Sequence, residues 1–428
     1  MRCTICLLYL STSLIAAPVK ATLATYEKEL DALWSGMDDP DHVVAACAAY
    51  RLHKHSFGVE YLARKIKPLG ATKERLKSLM QDLNSEEQLV SKSAVEALST
   101  VPPFLELSAP EQIELLRTRD AMSEWVRLCQ GIGFSDRVHS IKYVGKTEDG
   151  SITFQYEASR GVDTRISTIS SSILPVEKWP LWRWNRLHLA VVIMASNRSK
   201  TAYRALKDFS EGEARLAITK AAKESMESPP KPPAVPKTLE EFIKAITYDA
   251  TENLLLLTAV DSQRKLESLI APKVFAINAT KQQQLAWLKD LESDKESIWK
   301  VAYEKLSFYH PQLTLSIWEL NELVTSESGV TRLYGVLASM DADTLKDYRY
   351  SSFKIHDGTL LFHSVFGGKS ALRLQEIGDL RPASWNFTRL MIPVLKHRGT
   401  PEARNLLEEI AKGHPDILPA REAKAVLK

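Results

Sequence analysis

The feature that most constrains this chain is that it resembles itself. Displaced by 208 residues, Gly70-Ala71-Thr72-Lys73 lies on Asn278-Ala279-Thr280-Lys281, and Asp82-Leu83-Asn84-Ser85-Glu86 lies on Asp290-Leu291-Glu292-Ser293-Asp294. Pro103, Leu105, Leu107, Ser108 and Glu111 fall on Pro311, Leu313, Leu315, Ser316 and Glu319, and Asp149-Gly150 falls on Asp357-Gly358. The register runs without a gap from about residue 63 to 165 and carries more than 20 identities, where ordinary composition gives roughly six by chance. After a shortening of seven residues, Trp184-Asn185 meets Trp385-Asn386. The sequence therefore reads as one unit written twice, with unit one at about 26–225 and unit two at about 239–428. The join, 226–238, holds five prolines in the nine residues 228–236, a composition that excludes helix and favours a semi-rigid extended spacer.

Each unit has the same expected internal order. Helical periodicity covers 26–37, 42–54, 59–67 and 73–83. Ser85 with Gln88 has capping-box spacing for a helix over 86–98, and Ser293 with Glu296 repeats it. One further helix is expected over 110–130. The pattern then changes to period two around Asp149-Gly150, a hairpin signal, and a third strand is read at 164–169 with its counterpart at 372–377. The β inserts are placed at about 138–170 and 348–377. Helices close each unit at 184–195 and 200–210, and at 385–396 and 401–412. Thr400-Pro401-Glu402 gives the last of these a well-marked start. The fold class expected is mainly α, two tandem α-solenoid units each carrying a small antiparallel sheet.

The first residues follow the order of a secretory signal: Arg2, an apolar run, then small residues, with cleavage after Ala17 or Ala21. Residues 1–21 are thus read as a signal peptide and the product as secreted or periplasmic. No later segment approaches the ~20 apolar residues of a membrane span. Cys47 and Cys129 remain after cleavage and read as buried thiols. Lys plus Arg is 56 against 53 for Asp plus Glu, a balance that provides no field to gather nucleic acid.

Motifs for chemistry are sparse. Gly367-Gly368-Lys369-Ser370 lacks the first glycine of a phosphate loop, since His363 stands there. Asp38, Asp39, Asp41 and His42 with His53 and His55 read as a solvated helix end, not a metal site. No cofactor is implied, and the chain is read as not an enzyme. The one unusual cluster is Trp179-Pro180-Leu181-Trp182-Arg183-Trp184. Trp184 recurs as Trp385 and reads as core of the repeat. Trp179 and Trp182 have no Trp counterpart and are the candidate binding residues, as a sticky or sugar-stacking surface.

Several stretches resemble a known family. Leu30-Asp31-Ala32-Leu33-Trp34, Leu79-Met80-Gln81-Asp82-Leu83-Asn84-Ser85 and Gly399-Thr400-Pro401-Glu402-Ala403-Arg404-Asn405-Leu406-Leu407-Glu408 resemble the HEAT-like helical repeats of secreted planctomycete proteins. The resemblance implies a non-catalytic scaffold that binds other proteins. The alternatives are a carbohydrate-binding envelope protein or an unrecognised hydrolase.

Overall fold

The structure, a computed structural model, describes residues 22–130, 136–160, 166–197, 199–236, 241–242, 245–263, 266–271, 279–311, 315–338, 340, 345, 348–356, 359–365, 369–373 and 383–428. Residues 1–21, expected to be a signal peptide, Asp357-Gly358, expected to be a hairpin turn, and Gly367-Gly368 lie outside them. The chain is mainly helical with two small antiparallel sheets.

The first half runs α1 (Leu23–Gly36), α2 (His42–Lys54), α3 (Gly58–Lys65), α4 (Lys73–Asp82), α5 (Gln88–Thr100), α6 (Ala109–Leu115) and α7 (Arg119–Gln130). A sheet follows in the order β1 (Asp136–Lys146), β2 (Ile152–Arg160), β3 (Ser167–Ile173). Helices α8 (Asn185–Ser196), α9 (Lys200–Ser210) and α10 (Ala217–Glu227) close the half. In the second half come α11 (Ala250–Asp261), α12 (Leu266–Ile270), α13 (Lys281–Leu291), α14 (Glu296–Tyr309), α15 (Ile317–Leu323) and α16 (Glu327–Leu337). The sheet β4 (Tyr350–His356), β5 (Thr359–Ser364), β6 (Lys369–Arg373) leads to α17 (Ala383–Arg398), α18 (Pro401–Ala411) and α19 (Leu418–Leu427).

Local devices recur at the sequence offset. Thr72 and Thr280 cap α4 and α13 by accepting from the N–H three residues on. Ser108 with Glu111 and Ser316 with Glu319 close capping boxes on α6 and α15. Lys73 bridges to Glu111 at 2.6 Å, and Lys281 bridges to Glu319. Asn84 Oδ1 accepts the N–H groups of Arg117 and Thr118, while Glu292 accepts those of Thr325 and Ser326.

Those last bonds correct the single helix expected over 110–130. Asn84 also donates to the Leu115 carbonyl at 2.8 Å, so its amide occupies the backbone groups that would have continued the helix, and the chain breaks between α6 and α7. The capping box expected at Ser85 is also corrected. Ser85 Oγ accepts from Glu87 N–H, two residues on, and the helix begins only at Gln88. Ser293 repeats this turn before α14, accepting from Lys295. The third strand sits slightly later than expected, at Ser167–Ile173. At the β1–β2 turn Gly150 has φ 86°, a left-handed conformation that glycine adopts at no steric cost. The closing helices α10 and α19 carry weak signals and were not anticipated.

The centre of the molecule is the contact between α2 and α11. His42 meets Tyr248 edge to face at 5.1 Å beside their N-termini, and Lys54 bridges to Asp261 at 2.7 Å beside their C-termini. The two helices therefore run parallel along a seam. Helix α2 buries Ala45, Ala46, Ala48 and Ala49 together with Val43, Tyr50 and Leu52, and α11 buries Leu254, Leu256, Leu257 and Val260 together with Ala250, Thr251, Asn253 and Ala259. Helix α8 packs on α11 and α17 packs on α2, a reciprocal exchange of the kind an isologous two-fold interface makes. Trp34 under the Arg186 guanidinium, 4.9 Å away, has its positional counterpart in Phe242 against Phe387 at 5.1 Å.

Trp184 and Trp385 are both buried, Trp385 completely, beside Ile417 and Ala420. Trp385→Ala in the full chain should cost ~3–5 kcal/mol, whereas Trp182→Ala, at an exposed position, should stay within ~0.5 kcal/mol. Urea unfolding of the two variants checks this.

Candidate functional site

Two clefts flank the seam. The first, about 750 Å³, opens at the N-terminal ends of α2 and α11. Its walls come from the loop before α2 (Asp38, Asp39, Pro40), from α5, from the end of α7 and from 179–188. The second, about 670 Å³, lies between α1 and α2 on one side and α17 and α19 on the other.

Trp179 and Trp182 part company in this setting. Trp179 is buried, not a surface residue: its Nε1 donates to the Leu174 carbonyl at 2.8 Å, and its ring packs on Phe104 and Trp184. Trp182 is 57% exposed on the first cleft. The two rings therefore form no shared exposed platform. Arg183 lies between them, with its guanidinium carbon 4.3 Å from the Trp179 centroid and 5.5 Å from that of Trp182. It donates to the carbonyls of Leu128 and Cys129 at the end of α7, where helix carbonyls lack intrahelical partners. Periodicity missed the second exposed ring, Tyr248, which is 94% exposed and comes from the other half of the chain. No local signal could have paired residues 66 positions apart.

The cleft floor is polar. Asp249 caps α11 by accepting from Thr251 and Glu252 N–H, and His188 Nδ1 lies 3.3 Å from Thr251 Oγ1. Burial holds the His188 imidazole below its ordinary pKa, with Asp249 opposing. The related place at the second cleft is more heavily charged. Arg389, at the same offset of 201 from His188 as Trp385 is from Trp184, donates to Asp41 at 2.7 Å and to Glu422 at 2.9 Å. Arg389 and Asp41 are both about 2% exposed at the side chain. Burial pulls the Arg389 pKa down, but Glu422 and Asp41 outweigh it and the net shift is upward. Asp41 also caps α2 through Val43 N–H.

Cys47 and Cys129 are free thiols. Burial pushes the Cys47 pKa up, with Glu422 adding to the effect, and burial does the same to Cys129, so neither is an activated nucleophile. Among the described residues no three of His, Cys, Asp and Glu converge as a metal site. His42 packs on Tyr248, and His53 lies near the far end of α2. Nor is any helix among the described residues long and apolar enough to cross a membrane.

No family model, no curated protein and no solved structure matches this chain.

The charged pair invites a stability test. Arg389→Met leaves the Asp41 carboxylate buried without its cation, which should cost ~3–5 kcal/mol. Asp41→Asn in that background, keeping the cap, should restore part of the loss in urea melts. The pH response can also be read. Burial holds His310 and His53 at pKa values of about 4, while the unfolded chain takes up those protons near ~6.5. The unfolded state binds more protons across that window, so stability should fall as pH drops from about 6.5 to 4. Neither His310 ring nitrogen has a hydrogen-bond partner among the described residues. His310→Leu should therefore lose less stability than the parent between pH 7 and pH 4.5 in paired urea titrations.

Proposed function

We propose that this chain is a secreted, non-catalytic protein-interaction scaffold. In this reading one HEAT-like unit of helical hairpins with a β insert is duplicated at 26–225 and 239–428 across the proline-rich linker 226–238. The resemblance to planctomycete helical-repeat proteins supports it, as do the capping boxes, the Lys-to-Glu bridges and the helix-breaking side chains that recur at the offset of 208 residues. The signal-like order of residues 1–21 supports export.

The observation that carries the scaffold reading is apolar exposure on α14, where Ile298 and Val301 are 38% and 48% exposed; on α5 Leu89, at a position matching Ser297, is 84% exposed. Ile298 and Val301 are three apart and share one helix surface. Exposed apolar clusters on a helical frame mark protein contacts. The non-catalytic reading rests on a separate pattern. Every described carboxylate with a displaced pKa is displaced downward by hydrogen bonds, chiefly from neighbouring side chains at Asp31, Glu111, Asp149, Glu213 and Glu319 and chiefly from the backbone at Glu74. A general acid requires the opposite displacement.

Affinity capture from an envelope fraction with the immobilised chain tests the reading. A discrete protein should be retained near one-to-one stoichiometry and lost with Ile298→Glu plus Val301→Glu, while Tyr203→Glu leaves it bound. Retention indifferent to α14 would overturn the assignment of that face. An intact Met1 on native protein recovered from the cytoplasm would overturn export.

A further inference from the structure

We propose that the cleft at the N-terminal end of the α2–α11 seam binds a neutral saccharide, with Trp182 and Tyr248 as its stacking surfaces. The site is distinct from the α14 face and does not depend on the scaffold reading.

The cleft volume of about 750 Å³ falls within the ~300–1,000 Å³ of ligand pockets, which favour interfaces between domains. Trp182 and Tyr248 line it while more than half exposed. The same chain fully buries Trp125 and Trp385. Each ring has a neighbour: the Arg183 guanidinium lies 5.5 Å from the Trp182 centroid and is itself bonded to two backbone carbonyls, and the His42 ring lies 5.1 Å from Tyr248 at an interplanar angle of 67°.

The polar lining selects the ligand's charge. Lys92, Arg127, Arg183 and Arg186 supply four cations. Asp38, Asp39, Glu96 and Asp249 supply four carboxylates. A polyanion would meet the carboxylates and a polycation the basic groups, so neither gains net attraction. The N-termini of α2 and α11 add no free anion site, because Asp41 and Asp249 already cap them. The Arg186 guanidinium pairs with Asp38 at 3.7 Å and with Glu96 at 3.8 Å. A sugar hydroxyl donates to a carboxylate and accepts from a guanidinium at once. Aromatic rings for the apolar faces of pyranoses and charged groups of both signs for their hydroxyls together describe a saccharide site.

Titration of the full chain with cellohexaose, chitohexaose, maltohexaose, xylohexaose and a heparin hexasaccharide, followed by tryptophan fluorescence and calorimetry, tests the proposal. At least one neutral hexaose should bind with Kd below about 1 mM. Trp182→Ala and Tyr248→Ala should each weaken it about tenfold or more, a loss of about 1.4 kcal/mol, with the parent's melting temperature retained. The heparin fragment should not bind. Failure of all four neutral probes, binding of heparin alone, or unchanged binding in the double variant would overturn it. Loss of binding by Ile298→Glu plus Val301→Glu would place the site elsewhere and overturn it equally.

Discussion

The rest of the structure depends on the parallel packing of α2 against α11. Parallel neighbours align their dipoles unfavourably, so the contact must be held by packing and by its ends. Buried side chains of both helices fill the seam, and Lys54 reaches Asp261 where both C-termini converge. Helix α8 packs on α11 as well as on α2, and α17 packs on α2 as well as on α11. Arg389 then lies over the Asp41 cap at one crossing, and His188 lies beside Thr251 at the other. Both clefts follow from this arrangement, one at the open N-terminal end and one in the groove between α2 and α17.

The halves differ at matching offsets: Arg186 lies over Trp34, a cation over a ring, whereas Phe387 packs on Phe242, two rings. A solenoid stacks each unit only on its sequence neighbours. In this chain α2 meets α17, more than 300 positions away.

Much of the local structure was legible because it rests on neighbours in sequence. The helix over 42–54 matches residue for residue, and the turn at Asp149-Gly150 lies between paired strands. The burial of Trp184 and Trp385 was also readable, since both stand at matched positions at the start of an apolar stretch, Trp184 just before α8 and Trp385 in the first turn of α17. The break after Leu115 was hidden because its cause, Asn84, acts from more than 30 residues away. The site was half legible. Trp182 stands out by composition, but the burial of Trp179 is decided by Phe104 and Leu174, and Tyr248 joins the cleft only through the seam. Long-range register of this kind leaves no trace in periodicity.

Amide hydrogen exchange on the full chain tests the seam most directly. If α2 and α11 are one cooperative element, amides over 43–52 and 251–260 should be the slowest and share a single opening free energy. Ala49→Leu, which overfills the contact by ~1–3 kcal/mol, should lower that free energy equally in both segments. Independent opening of the two segments, or a change confined to 43–52, would contradict the account.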